Sequence, residues 1–132
     1  MHEQKDQTMA EHNELGAWGE EEAVKYLRTK GYEILEQDWK MGKRDLDVIA
    51  LTEDESTMVF VEVKTRTGDD YQQPQEAVTR RKIKNLAVAA NAYVKTYHLD
   101  VDIRFDIISI IGHRPFVERI EHIEDAFNPL LV

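Results

Sequence analysis

Asp45-Leu46-Asp47-Val48-Ile49-Ala50-Leu51-Thr52, the turn Glu53-Asp54-Glu55-Ser56, and Thr57-Met58-Val59-Phe60-Val61-Glu62-Val63-Lys64-Thr65-Arg66 make up the stretch that decides the fold. Two runs with β character flank a short polar turn, a pattern that predicts a β-hairpin. Alternate residues of a strand share a face, so Asp45, Asp47 and Ile49 are expected on one side of the first strand and Leu46, Val48 and Ala50 on the other. On the second strand Phe60, Glu62, Lys64 and Arg66 share a face opposite Val59, Val61 and Val63. Three acids and a lysine therefore fall within two otherwise apolar strands. Two carboxylates about 4 Å apart at an effective dielectric of about 20 repel by roughly 4 kcal/mol, and one lysine offsets only one of them. Either the acids lie on a solvated face and make ordinary cross-strand pairs, or they surround a divalent cation that takes oxygen ligands, as Mg²⁺ and Mn²⁺ do.

Asp47 followed by Glu62-Val63-Lys64 resembles the signature of the restriction-endonuclease-like nucleases, in which an Asp and an E-x-K on adjacent strands hold a metal and activate water. Further segments extend the likeness: Gly16-Ala17-Trp18-Gly19-Glu20 with Ala23, Asp47-Val48-Ile49-Ala50, Val59 to Arg66, Ala77-Val78-Thr79 with Lys82, and Arg104-Phe105-Asp106. In order and spacing these are similar to the YraN-like family of bacterial proteins, grouped by fold with archaeal Holliday-junction resolvases. The chain departs from that pattern at Arg44-Asp45, where Gly-Glu is usual. The resemblance implies an α/β, restriction-endonuclease-like fold with a central mixed β-sheet of about five strands flanked by helices. It also implies a metal-dependent endonuclease that hydrolyses phosphodiester bonds in DNA, branched or junction DNA included, with Mg²⁺ or Mn²⁺ as cofactor. Asp47, Glu62 and Glu20 are the implied metal ligands. With Lys64, which would orient or help deprotonate the attacking water, they are the implied catalytic residues. Together these four side chains sum to a charge of -2, which one divalent cation neutralises.

The 132 residues fit a single domain, expected over 13-132 behind a polar, disordered leader over 1-12. Without cysteine there is neither a disulfide framework nor a thiolate metal site. Neither a signal sequence nor an apolar run long enough to span a membrane is found, so a soluble, cytoplasmic protein is expected. The net charge of -9 argues against a protein that coats DNA by many phosphate contacts. That charge is uneven. Residues 1-61 carry seven basic and fifteen acidic groups, whereas residues 62-84 carry six basic and four acidic. Lys64 and Arg66 begin this basic stretch and Arg80, Arg81, Lys82 and Lys84 continue it; Arg66 and the latter four are the candidate nucleic-acid contacts, with DNA as the partner.

Along the chain, Asn13 is a plausible N-cap for a helix over about 13-30 that closes before Gly31. Glu20, Ala23, Val24 and Leu27 fall at helical spacing, which sets Glu20 on the edge of the apolar stripe. The same acid in that half of the helix also complements the dipole. Tyr32 to Trp39 reads as a strand with Tyr32, Ile34 and Glu36 on one face. Thr67 to Pro74 reads as a loop beside the site, where Gln72, Gln73 and Gln75 could bond phosphates. Thr79 caps a second helix that runs to about Tyr97, and its first turn carries three basic residues that oppose the dipole. Val101 to Ile111 reads as a strand, with Asp106 a structural acid that pairs a neighbour. Phe116 to Ile123 reads as an edge strand, and the apolar tail 126-132 can dock on the surface or on a second subunit, which makes a homodimer a candidate assembly.

Five scattered histidines without helical pairing argue against zinc. No nucleophile-and-histidine constellation points to covalent catalysis. The alternative to a nuclease is a non-catalytic nucleic-acid- or protein-binding module that retains the nuclease fold, a reading favoured by the acidic net charge.

Overall fold

A computed structural model describes residues 2–68 and 78–128. Two helices, α1 (His2–Thr29) and α2 (Arg80–Thr96), flank a sheet of five strands: β1 (Glu33–Met41), β2 (Arg44–Leu51), β3 (Thr57–Arg66), β4 (Asp102–His113) and β5 (Phe116–Ile123). Strand order follows the chain, β1-β2-β3-β4-β5. Every neighbouring pair is antiparallel except β3 and β4, which run parallel. A parallel pair needs a long crossover, and α2 is the helix on that connection. This is the mixed α/β sheet of a restriction-endonuclease-like fold, as the resemblance implied.

The strands at the centre are buried on both faces, which is why β3 reads as nearly continuous apolar residues. Val48, Val59, Val61, Val63, Ile108 and Ile110 pack with Trp18, Ala23, Val24 and Leu27 of α1. On the opposite face Leu46, Ile49, Met58, Phe60, Phe105 and Ile107 pack with Ile83, Leu86, Ala89, Ala90 and Tyr93 of α2. The sheet is thus a two-sided core, the arrangement that lets each helix bury a single stripe.

Helix boundaries follow local chemistry. Thr79 caps α2, its hydroxyl accepting from the Lys82 N–H at 3.2 Å. At the end of α1 the Tyr32 N–H donates to Leu27 and the Gly31 N–H to Arg28, a pairing that closes the helix through Gly31 at φ 89°. The other end of α1 differs from expectation: the helix begins at His2 rather than at Asn13, so the polar leader continues it. Among the described residues no helix is long and apolar enough to cross a membrane.

Strict alternation fails in two places, both next to the acids. The β1–β2 register shifts between Ile34 and Glu36, which sets Glu36 opposite Ile49 rather than on the face of Ile34. Leu46 and Val48, expected on one face, join opposite core clusters, so β2 changes face at Asp47. Asp38 has φ 50°, an uncommon backbone state for a residue other than glycine. The Gln72, Gln73 and Gln75 loop lies outside the described residues, as do 129–132 of the tail. The start of the tail folds back on its own chain: the Ala126 N–H donates to Phe105 and the Phe127 ring stacks on Phe105 at 5.4 Å.

Candidate metal centre

The irregularity in β2 builds the site. Paired residues of β2 and β3 run from Leu51 with Met58 to Val48 with Val61, and the ladder stops there. Beyond it the Asp47 carboxylate, in place of a main-chain carbonyl, accepts the Val63 N–H at 3.0 Å. Asp47 is thereby fixed at the splayed end of the hairpin, beside the next residues of β3, Glu62 and Lys64.

Helix α1 supplies Glu20 from one side. It approaches β3 so closely that a Cβ on Gly19 would overlap the Thr65 side chain, and glycine is what allows the contact. Glu20 follows directly in sequence. Ligand oxygens of Glu20, Asp38 and Asp47 lie within 4.8 Å of one another. Asp38 is the member that sequence reasoning missed. Its place in β1 beside Asp47 follows from the β1–β2 register, in which Gln37 faces Val48 and Trp39 faces Leu46.

Glu62 is 3% exposed, and its Oε2 is buried with no hydrogen-bond partner among the described residues. Its other oxygen, Oε1, faces the Lys64 ammonium at 3.5 Å and the Lys82 ammonium at 3.6 Å. Lys82 also lies 3.9 Å from Asp45. Of the expected ligands, Glu20 and Asp47 come together with Asp38, whereas Glu62 stands outside that group, near enough for its charge to act on both Glu20 and Asp47 and in contact with Lys64 and Lys82. The candidate nucleic-acid contacts divide. Arg80, Arg81 and Lys84 are exposed on α2, whereas Lys82 turns in to the acids and Arg66 Nη2 donates to Ser109 at 3.1 Å.

Electrostatics mark the cluster as short of positive charge. Burial, then the fields of Asp38, Asp45 and Glu62 and a hydrogen bond with Asp38, push the Glu20 carboxyl up to about 7. Burial, then the Glu62 and Glu20 charges, push Asp47 up to about 8 despite the Val63 N–H and Lys82. Lys82 is drawn down by burial, but Glu62, Asp47 and Asp45 outweigh that and raise it. At neutral pH such a site holds protons where a cation would serve. The donors are carboxylate oxygens, the chemistry that suits Mg²⁺ or Mn²⁺ and not soft metals. The unsatisfied Glu62 Oε2 is an orphan that a cation would satisfy. On both counts the residues fit such an ion.

Fold and site together define an α/β protein of restriction-endonuclease-like architecture with an acidic centre at a hairpin end. The pattern of the uncharacterised protein family UPF0102 matches residues 19–110, and the chain belongs to that family. It is 50% identical over 123 residues to a UPF0102 protein of Bacteroides thetaiotaomicron, covering 93% of this chain and 99% of that one. It is 45% identical over 122 residues to a UPF0102 protein of Phocaeicola vulgatus, covering 92% and 98%. Among solved structures, Pyrococcus furiosus SfsA in complex with Ca²⁺ aligns over 89% of this chain and 63% of that one, with 16% identity and a TM-score of 0.32. A likeness that loose bears on neither mechanism nor substrate.

Proposed function

We propose that this protein is a metal-dependent endonuclease acting on DNA, with Mg²⁺ or Mn²⁺ at the hairpin end. The single observation that carries the reading is the gathering of Glu20, Asp38 and Asp47 oxygens within 4.8 Å next to a buried Glu62 with an unpartnered oxygen. Asp47, Glu62 and Glu20 would hold the ion, and Asp38 joins them as a candidate ligand. When bound, the ion supplies Lewis acidity to a phosphodiester and lowers the pKa of a bound water.

The chain's own residues do the rest. Asp47 is aimed by the Val63 N–H. Glu62 is held rigid by a strand buried on both faces. Lys64 shares the face of Glu62 and stands 3.5 Å from its Oε1; in this reading its ammonium orients the attacking water. Exposed Arg80, Arg81 and Lys84 offer phosphate contacts on the flank. Without an added cation the acids repel a phosphodiester, so turnover requires a divalent ion.

The test is cleavage of junction, flap, single-stranded and duplex DNA with and without Mg²⁺ or Mn²⁺, alongside calorimetry with the ions. Asp47→Ala and Glu62→Ala should each lose most of the ion affinity. Lys64→Ala should retain the ion and lose rate, on the order of 10²-fold or more for a positioned proton-transfer group. Wild-type protein that binds no divalent ion at millimolar concentration and cleaves none of these substrates would overturn the reading.

A further inference from the structure

Lys82 is the part of the site that this chemistry leaves unused. The first turn of α2 carries Arg80, Arg81 and Lys82 and no acid, an arrangement that the helix dipole disfavours. Arg80 and Arg81 stay exposed while Lys82 turns inward to Glu62 and Asp45. Two ammonium groups, from Lys64 and Lys82, thus face the same Glu62 oxygen, one from its own strand and one from a separate helix. Neither contact is tight: both exceed the roughly 2.9 Å limit of a charge-assisted hydrogen bond. The other Glu62 oxygen has no partner among the described residues.

We propose that Lys82 is the stand-in cation of this centre: it balances Glu62 until a divalent ion arrives, and the ion's arrival frees its ammonium to take a phosphate oxygen of a bound polynucleotide. The inference rests on the metal reading above. An ion that shares the Glu62 charge weakens its hold on both lysines and repels them. Lys64 lies two residues from Glu62 on the same strand face and stays beside it. Lys82 reaches in from a separate helix on a flexible four-carbon stem, so it is the one that can leave. It would leave toward Arg80 and Arg81, the exposed cations of its own helical turn, where it adds a third contact for a polyanion.

The test uses the full wild-type chain. Reductive methylation with formaldehyde, read by peptide mass spectrometry, is compared in chelator and in Ca²⁺ or Mg²⁺, with exposed Lys25 as the internal reference. The ion should raise Lys82 methylation by about threefold to tenfold, the range expected for release of a half-buried ion pair, and leave Lys64 and Lys25 near their starting rates. Calorimetry adds a second measurement. K82Q should bind the ion about threefold to tenfold tighter, K82R should match wild type, and K82Q should show a shallower salt dependence of single-stranded DNA binding in Ca²⁺, by about one unit of slope. Ion binding with unchanged Lys82 reactivity would overturn the inference and leave the metal reading standing. Failure of wild type to bind any ion would overturn both.

Discussion

Asp47 and Asp106 are the same side chain set in the same sheet, and the chain surrounds them in opposite ways. Asp106 is fully buried on β4, and its donors are complete. Arg104 donates through Nε and Nη2 at 2.8 Å each, His122 through Nε2 at 2.7 Å, and the Asp125 N–H at 3.0 Å. Burial alone would raise its pKa; His122, Arg104 and the Asp125 N–H outweigh it and hold the carboxyl below its usual range. Asp47 has one main-chain donor and two acidic neighbours whose charges act against it, and it is pushed up to about 8. A buried acid with complete donors belongs to the architecture. A half-buried acid among acids, with one lysine acting on it, is left for protons or a cation from outside to match.

The comparison breaks most visibly in stability. Asp106→Ala should strand Arg104, which now pairs with it bidentately, and should cost about 3–5 kcal/mol in a urea unfolding series, the range for removing one partner of a buried pair. Wild-type-like stability of that variant would mean that the Asp106 cluster is ornamental. Gly19→Ala should cost about 1–3 kcal/mol, since its methyl overlaps Thr65 and forces α1 off β3. The same displacement moves Glu20, so this variant should also bind ions more weakly than wild type in calorimetry. Retained ion affinity would show that Glu20 does not depend on this close approach.

What the sequence disclosed, and what it hid, follows the same division. Glu62 and Lys64 stood out as charges in the otherwise apolar β3, but alternation alone fitted a solvated face equally, and it was the resemblance to an E-x-K signature that marked them as site candidates. Asp47 was legible by residue type but not by face, because β2 changes face at that residue and no local sequence signal marks the change. Asp38 was hidden for a related reason: the β1 bulge shifts everything after Ile34 by one residue, and a bulge without glycine or proline leaves no composition cue. Lys82 was singled out by the resemblance but read as one of a basic run on the surface, because charge alone does not show that its ammonium turns in to Glu62 and Asp45. Asp106 was read as a structural acid and is one. Its partner His122 was passed over because the two sit on neighbouring strands, 16 residues apart in sequence.

Acidity separates the two clusters further. The raised pKa of Asp47 and Glu20, about 8 and about 7, means that the folded, ion-free protein holds protons that the unfolded chain has released. Their contribution is complete below the unfolded values near 4 and is lost as pH rises through about 7 to 8. Asp106, lowered instead, contributes above its unfolded value and loses that contribution as the solution is made more acidic. In chelator, the urea midpoint should therefore fall between pH 5 and pH 9, and Mg²⁺ should raise it more at pH 8 than at pH 6, because binding must displace those protons. An ion-free midpoint that climbs over this range would contradict the protonated centre.

The smallest expected effect is the sharpest discriminator. Asp47→Asn keeps an oxygen that can accept the Val63 N–H and removes one negative charge from a cluster that includes Glu20 and Glu62. In chelator at pH 8 this substitution should change stability by less than about 1 kcal/mol, with stabilisation the expected sign, because the charge it removes is opposed rather than paired. The same variant should lose most of its affinity for Mg²⁺, since a neutral amide oxygen is a poorer ligand than a carboxylate and the field that attracts the ion is weaker. Asp106→Asn supplies the counterpart: it removes a charge that Arg104 needs and should destabilise at every pH above the normal carboxylate range. If Asp47→Asn destabilised as strongly as Asp106→Asn, Asp47 would be a second structural acid, and the proposed metal centre would lose the residue on which the hairpin end is built.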